Sequence, residues 1–512
     1  MIIRSLVITA KRYFRLIAFL FIVLFFAIVF GLLAGLTIFD RQHNHIIHDY
    51  VARNDDLIVL STTYYENSKS FPENTAVILF NAVQVFHLKY AHLDVVAETL
   101  QGNVDVKFRI EPVIKQLPFY CKWVPYLAIG QVPDDHVLLN LSTNKQDGME
   151  LALRTPFHTP KKVVACFSPL FLNERWQLLL ATVEIYSHYG AHLHFYVRSM
   201  ITDLFAMIKE NKNVRVTPWS NVRLGANRAA SNQFDPNTEL EFRNQASAMT
   251  DCLLLYKESA TFVIFPDPDD IIIPSIARTY EEEFVKIFDM FPTAGAIAYN
   301  VTQSIVESTT STSRYSPLGL MSSIKFEGEQ RWGKLVVRPE RVDSVWIHRA
   351  FGIRDGFEQV SLPVNINSVL HYRTWNFVEK TKRNISSMSD IPYYDPERVN
   401  ATQRRVFTLS DGLKIERNFK KKIKKMYKVY HRLPTVSLYY PLIEECYNRI
   451  FYKASDMGSV CKGPEYCNIP MFPGMRCTNV ASEFVTYNNY QNVFIHQLIS
   501  SDFEDSENGC TL

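Results

Sequence analysis

The string Pro266-Asp267-Pro268-Asp269-Asp270 gathers three carboxylates in five residues and follows directly on the apolar run Phe262-Val263-Ile264-Phe265. In extended backbone, residues two apart point the same way, so Asp267 and Asp269 are expected to present two carboxylates to one hard cation. Pro266 and Pro268 lack amide hydrogens, so a central strand must stop here and a fixed loop begin. A divalent ion held by carboxylates and substrate phosphates is a common way to bind a diphosphate, because it offsets charge on the leaving group. An Asp-x-Asp alone is equally an Asp-rich turn. What separates the two readings is the order of elements around it.

That order alternates strand and helix. Residues 163–167 (VVACF) read as a buried strand. They are followed by Asn173 as an N-cap and a helix with Trp176, Leu179, Leu180 and Val183 on one face, stopped by Gly190. A strand over 192–197, a helix near 201–211 and a strand over 214–217 come next. Thr238 with Glu241 forms a capping-box string expected to open a long helix reaching about Ser259, and 262–265 is the fourth strand. Such alternation implies right-handed crossovers and a mostly parallel sheet. Ligands of these sheets bind beyond the carboxyl ends of the strands, which is where the acidic string falls.

Composition excludes several classes. The 512 residues carry 55 Lys plus Arg against 52 Asp plus Glu, so no global charge favours a nucleic-acid partner. The chain is 47% apolar and 13% aromatic, which excludes a disordered protein. With 18 glycines and neither a GxGxxG nor a GxxxxGK[ST] string, the Gly-loop dinucleotide and P-loop classes are not indicated.

Leu16 to Phe39 contains no charge. As a helix it would be about 36 Å long, enough to cross a hydrocarbon core of about 30 Å. Arg4, Lys11, Arg12 and Arg15 precede it, so the positive-inside bias predicts a single-pass type II membrane protein with everything after Phe39 luminal. The expected plan is a cytosolic tail (1–15), a signal-anchor (16–39), a stem (40–75), a small β-rich module (76–160), a catalytic domain (161–445) and a Cys-rich C-terminal segment (446–512). In a lumen the sequons at Asn140, Asn300, Asn384 and Asn400 are usable glycan acceptors. The eight cysteines are then expected as disulfides, since no CxxC pair indicates zinc.

The block KVVACFSPLFLNERWQLLLATVEIYSHYGAHLHFYV, the segment NQASAMTDCLLLY before FVIFPDPDDIIIP, the string WGKLVVRPERVDSVWIHRA and the closing HYR together resemble the glycosyltransferase family 92 domain. The resemblance runs from roughly Lys162 to Arg373. It implies an α/β fold of the GT-A type, a Rossmann-like, mostly parallel sheet with flanking helices. It also implies a divalent metal such as Mn²⁺ and inverting transfer of galactose from UDP-galactose to a glycan acceptor as a β-linkage, placed in the Golgi. The carried-over positions are Asp267 and Asp269, Lys334, Arg338 and Pro339, His348, and His371, Tyr372 and Arg373. Pro266 and Pro268 depart from the pattern around the aspartates.

On this reading Asp269 is the first metal ligand, and Asp267 reaches the metal or the ribose. His371 is the third ligand, with His348 competing for that role. Lys334 and Arg338 meet the diphosphate. Asp355 and Glu358 are the acids expected to supply the base, while Asp251 reads as a structural cap or a group supporting the site. The basic run from Lys414 to Lys428 reads as a solvated amphipathic helix whose inner face is Phe419, Ile423, Met426, Tyr427 and Tyr430. Two rival functions remain: a silent luminal glycan-binding protein in which the prolines disable the metal loop, and a metal-dependent hydrolase using the same aspartates.

Overall fold

The computed structural model describes residues 56–84, 86–114, 121–142, 148–222, 235–330, 333–379, 387–394, 404–452, 461–488 and 494–512. The expected anchor, Asn384 and Asn400 lie outside them. No helix among the described residues is long and apolar enough to cross a membrane.

In chain order the first strands are β1 (Leu57–Tyr65), β2 (Thr75–Val83), β3 (His92–Thr99), β4 (Gly102–Pro112), β5 (Trp123–Gln131), β6 (His136–Ser142), β7 (Met149–Glu150) and β8 (Leu153–Arg154). Then follow β9 (Lys161–Leu170), β10 (Ala191–Val197), β11 (Ser199–Ile201), β12 (Val214–Pro218), β13 (Ala260–Phe265), β14 (Asp270–Ile272), β15 (Ala294–Ala298) and β16 (Val301–Ser308). The last are β17 (Lys325–Gln330), β18 (Leu335–Val337), β19 (Glu358–Ser361), β20 (Val369–Phe377), β21 (Tyr393–Tyr394), β22 (Arg404–Arg405), β23 (Cys477–Asn488) and β24 (Phe494–Ser506).

The central sheet has the order β12-β10-β9-β13-β18-β15-β19. Its first four strands are parallel, as the alternation of strands and helices implies, but β18 runs antiparallel to both β13 and β15, so the sheet is mixed. From Val163 onward β9 is buried throughout, because both of its faces are covered. Val163, Ala165 and Phe167 pack with Leu179 and Val183 of the Trp176–His188 helix. Val164 and Cys166 pack with Ala248 and Cys252 of the Gln245–Tyr256 helix. The valine, leucine and phenylalanine side chains among them, fully buried, contribute about 1.5–3 kcal/mol each, and the Cys166–Cys252 disulfide ties the second layer to the strand.

A second sheet, β14-β20-β16-β17, stands at the end of the first. In it β14 pairs antiparallel with β20, setting Asp270 opposite His371. The register of that short ladder is what brings together two residues a hundred positions apart.

The N-terminal strands do not form a module of their own. Their sheet has the order β11-β23-β24-β1-β2-β5-β4-β3-β6-β7, with β8 on β1, so the C-terminal hairpin completes it. The sheet also begins with β1, inside the range read as a stem, where Leu57, Ile58 and Val59 are buried. Cysteine pairing follows the same logic. Cys446–Cys467 and Cys477–Cys510 close loops within the C-terminal segment, whereas Cys461 reaches back to Cys121.

Two local expectations differ. The first helix is preceded by Arg175, while Asn173 is drawn into a backbone bridge with Met200. The capping-box string opens no long helix: two 3₁₀ turns, Pro236–Glu239 and Glu241–Asn244, precede an α-helix that starts only at Gln245. Within the second of these turns Phe242, Arg243 and Asn244 all have left-handed backbone, with φ of 44°, 60° and 61°. The basic helix is present as Leu409–Lys425, with Ile415 and Phe419 buried, but Tyr427 faces solvent and is 61% exposed.

Candidate functional site

The end of β13 is set by Pro266, and the next four residues form a turn rather than extended backbone. The Asp270 amide donates to the Asp267 carbonyl at 3.0 Å, and the Asp267 amide donates to the Asp270 carboxylate at 3.3 Å. The turn separates the two aspartates expected to act side by side. Asp267 accepts from Ser168 at the end of β9, from Gln245 Nε2 at 3.2 Å and from Lys334. Asp269 instead lies with Asp270 and His371, and ligand atoms of these three fall within 4.8 Å of one another. Among the described residues this is the group with a metal's reach. It replaces the expected set: Asp270 enters, and Asp267 and His348 stand outside it.

Lys334 explains why Asp267 is diverted. It is 3% exposed, paired with Asp267 and 3.2 Å from Asp270. Burial disfavours its charge, but the two carboxylates outweigh burial and raise its pKa. Asp267 answers in kind: burial opposes ionisation, yet Lys334 and Ser168 hold its carboxyl well below the usual range. Lys334 is therefore a buried counter-ion and not the expected diphosphate contact. Its approach depends on Gly333, where a Cβ would fall 2.0 Å from the Tyr299 carbonyl oxygen.

The trio itself carries excess negative charge. Burial raises the Asp269 pKa, and Asp270 and Asp267 add to it against His371. His371 donates from Nδ1 to Asp270 at 2.9 Å. Burial alone would lower its pKa, but Asp269 and Asp270 push it up to about 9. A group of two carboxylates and an imidazole that draws in a proton this strongly fits a divalent cation, which would take the proton's place. His348 is the opposite case. Burial and Lys334 lower its pKa, and Nδ1 donates to the Gly333 carbonyl at 2.9 Å, which leaves Nε2 as a lone pair.

Asp267, Asp269, His348 and His371 line one cavity of about 440 Å³, within the usual range for ligand sites. Of its other walls, Arg373 is carried over from the family pattern, whereas Arg175 and Arg243 have no signal in the sequence. Arg175, Arg243 and Arg373 line it as well. Arg175 lies over the Tyr440 ring, 3.0 Å from its centroid, and Arg243 lies 3.9 Å from the centroid of Phe171. Arg243 belongs to the left-handed run, a strained conformation that its surroundings must hold. Asn81 of β2 does so through a reciprocal amide pair with Asn244, at 3.0 and 2.7 Å. The N-terminal sheet thus fixes an arginine of the site.

Glu174 fastens the far wall. Only 3% exposed, it accepts from the Leu438 and Tyr440 amides, both at 2.8 Å, and so ties the loop after β9 to the start of the Tyr439–Tyr447 helix.

Three expected residues lie elsewhere. Because β18 is antiparallel, Phe265 pairs with Leu335 and Val263 with Val337. Lys334 therefore sits at the Asp267 end and Arg338 at the other, four residues or about 13 Å of strand away. Arg338 packs on Phe262 and Phe288, with ring centroids 5.2 and 5.3 Å off, and bonds Glu340 at 3.4 Å. Asp355 and Glu358 are exposed at that same end, Glu358 paired in register with Ala294 and accepting from Thr293 at 2.8 Å. Neither acid lines the cavity. Arg338→Ala is accordingly expected to leave catalytic rate within about twofold, while losing about 1 kcal/mol of stability from ring contacts. Rate measurement beside urea denaturation checks both.

Asp251 proves structural. It receives Arg154, Ser61 and Tyr196 within the core. Of the sequons within the described residues, the Asn140 amide donates to Glu98 at 2.8 Å and the Asn300 amide to the Leu362 carbonyl at 3.2 Å.

Comparison with known proteins gives a consistent picture. Residues 161–411 match the model of glycosyltransferase family 92. A glycosyltransferase family 92 protein of Caenorhabditis elegans is 67% identical over 99% of this chain and 99% of its own. A second from the same organism is 27% identical over 96% of this chain and 97% of its own.

Proposed function

This chain belongs to glycosyltransferase family 92, and from that premise we propose that it is a metal-dependent, inverting transferase that moves galactose from UDP-galactose to a glycan acceptor. The observation that carries the proposal is the cavity, where Asp269 and His371, with Asp270 buried behind them, share the walls with three arginines. Asp269, Asp270 and His371 would hold Mn²⁺, which when bound supplies positive charge for the departing diphosphate. Arg175, Arg243 and Arg373 then take the remaining phosphate oxygens, a task suited to planar guanidinium groups. Arg175 and Arg243 are held over aromatic rings, which fixes their direction before the donor arrives. Neutral His348 offers an acceptor from the cavity wall.

Pro266 and Pro268 do not break this arrangement. They end β13 and set the turn that divides Asp267 from the metal trio. Four disulfides support a location in an oxidising compartment, in keeping with a type II protein whose catalytic part is in the Golgi lumen.

The test is to incubate the full-length chain with a panel of nucleotide sugars, glycan acceptors and Mn²⁺. Transfer from UDP-galactose that falls by more than about 100-fold on chelation and returns with metal is expected. Transfer insensitive to chelator would remove the metal from the reading. Glycan binding without transfer from any donor would replace it with a silent binder.

A further inference from the structure

An inverting displacement needs a group that takes the proton of the acceptor hydroxyl, and the acids expected for that task lie at the wrong end of the sheet. Four carboxylates among the described residues line the cavity: Glu174, Asp267, Asp269 and Glu444. Three are committed. Asp267 neutralises Lys334, Asp269 belongs to the metal trio, and both oxygens of Glu174 are occupied by backbone amides. Glu444 is exposed, and its carboxylate makes no hydrogen bond or ion pair among the described residues. Its place is fixed all the same. The helix that carries it begins at Tyr439, where Glu174 grips the backbone, and is pinned near its end by Cys446–Cys467.

The walls also divide the labour. Asp269 comes from the turn after β13 and His371 from β20, beside the leaving group's cations, whereas Glu444 comes from the Tyr439–Tyr447 helix. Arg175 is within electrostatic reach of both Glu444 and Asp269, so the two carboxylates belong to one site. His348, the other group with a spare lone pair, feels Lys334, Asp267 and Asp270 and so stands on the leaving-group side. In-line inversion puts base and leaving group on opposite faces of the sugar ring.

We propose that Glu444, which lies beyond the segment matching the family model, is the general base of the transfer, an inference that rests on the inverting reading above. In the step, the Glu444 carboxylate takes the proton of the acceptor hydroxyl. The acceptor oxygen forms its bond to the anomeric carbon, and the anomeric carbon–phosphate oxygen bond breaks with its electron pair leaving on the nucleoside diphosphate.

The experiment uses the full-length chain with three variants, Glu444→Gln, Glu444→Ala and His348→Gln, and reads two quantities: binding of UDP with Mn²⁺, and the rate of sugar transfer against pH. Glu444→Gln is expected to keep UDP affinity within about threefold while kcat falls 100-fold or more, the usual size of a base contribution. The acidic limb of its pH profile should vanish, and added formate should restore part of the rate of Glu444→Ala. Transfer by Glu444→Gln within about tenfold of the unmodified chain overturns the assignment. So does a lost acidic limb in His348→Gln alone, which moves the base to His348. If the unmodified chain binds UDP but transfers no sugar, the transferase reading falls and takes this inference with it.

Discussion

Asp269→Asn is expected to lower sugar transfer by about three orders of magnitude while leaving the fold as stable as before. The first half follows from the metal trio. Losing one of three ligands removes several kcal/mol of charge stabilisation from the departing diphosphate, and about 4 kcal/mol corresponds to about 1000-fold in rate. The second half follows from what Asp269 does not do. Its side chain makes no hydrogen bond among the described residues, and burial among Asp270 and Asp267 raises its pKa. A carboxyl whose folded pKa lies above its unfolded value weakens the native state wherever it is ionised. A neutral isostere therefore leaves the metal-free protein equally or more stable at neutral pH. Transfer assays and thermal unfolding in chelator test the two halves. A variant that keeps a tenth of the activity would exclude Asp269 as a ligand.

Asp251→Asn is expected to do the reverse, costing about 3–5 kcal/mol of stability at a distance from the cavity. Asp251 is 3% exposed and receives Arg154 through two bonds of 3.1 and 2.5 Å, Ser61 at 2.7 Å and Tyr196 at 2.7 Å. These partners come from β8, β1 and β10, so one carboxylate joins the N-terminal sheet to the central one. The isosteric amide leaves a half-buried guanidinium without its counter-charge. Burial alone would raise the pKa of Asp251, but Arg154 and the two hydroxyls outweigh burial and lower it. Its stabilisation is accordingly present above the unfolded carboxyl pKa of about 3.9 and is lost as pH falls toward the lower, folded value. Urea denaturation should show the deficit in full at pH 7 and a shrinking gap below about pH 4. A gap independent of pH would mean that packing, not charge, is what the substitution disturbs.

The parts of this protein that can be read from sequence are those set by local pattern. Strands β9, β10, β12 and β13 are apolar runs separated by helical periodicity, and the acidic turn had to lie at a carboxyl end because the proline at 266 stops the ladder. The trio was half visible: Asp269 and His371 were expected, but Asp270 was passed over because an Asp-x-Asp in extended backbone pairs first and third residues, whereas a turn pairs differently. Lys334 and Arg338 sit four residues apart in one string, yet an antiparallel strand sends them to opposite ends of the sheet. The direction of β18 has no local signal. Arg175, Arg243 and Glu444 were missed for a related reason. Their meeting depends on Asn81 holding Asn244 and on Glu174 holding Leu438 and Tyr440, contacts spanning 163 to 266 residues that no spacing announces.

The pairing of β1 with β24 has a consequence for the timing of synthesis. Leu57 meets Ile495, its partner 438 residues later. At roughly 5 to 20 residues per second, the nascent chain carries an open strand edge for about 20 to 90 s. Cys121 waits similarly for Cys461, and both Cys166 and Cys252 emerge in the interval. Pairing cysteines in order of appearance would join Cys121 to Cys166, so the native set requires either a guarded thiol or an isomerase that revises the first bond. A chain that ended before Phe494 would leave its sheet unfinished, since β24 is the strand that joins β1 to β23.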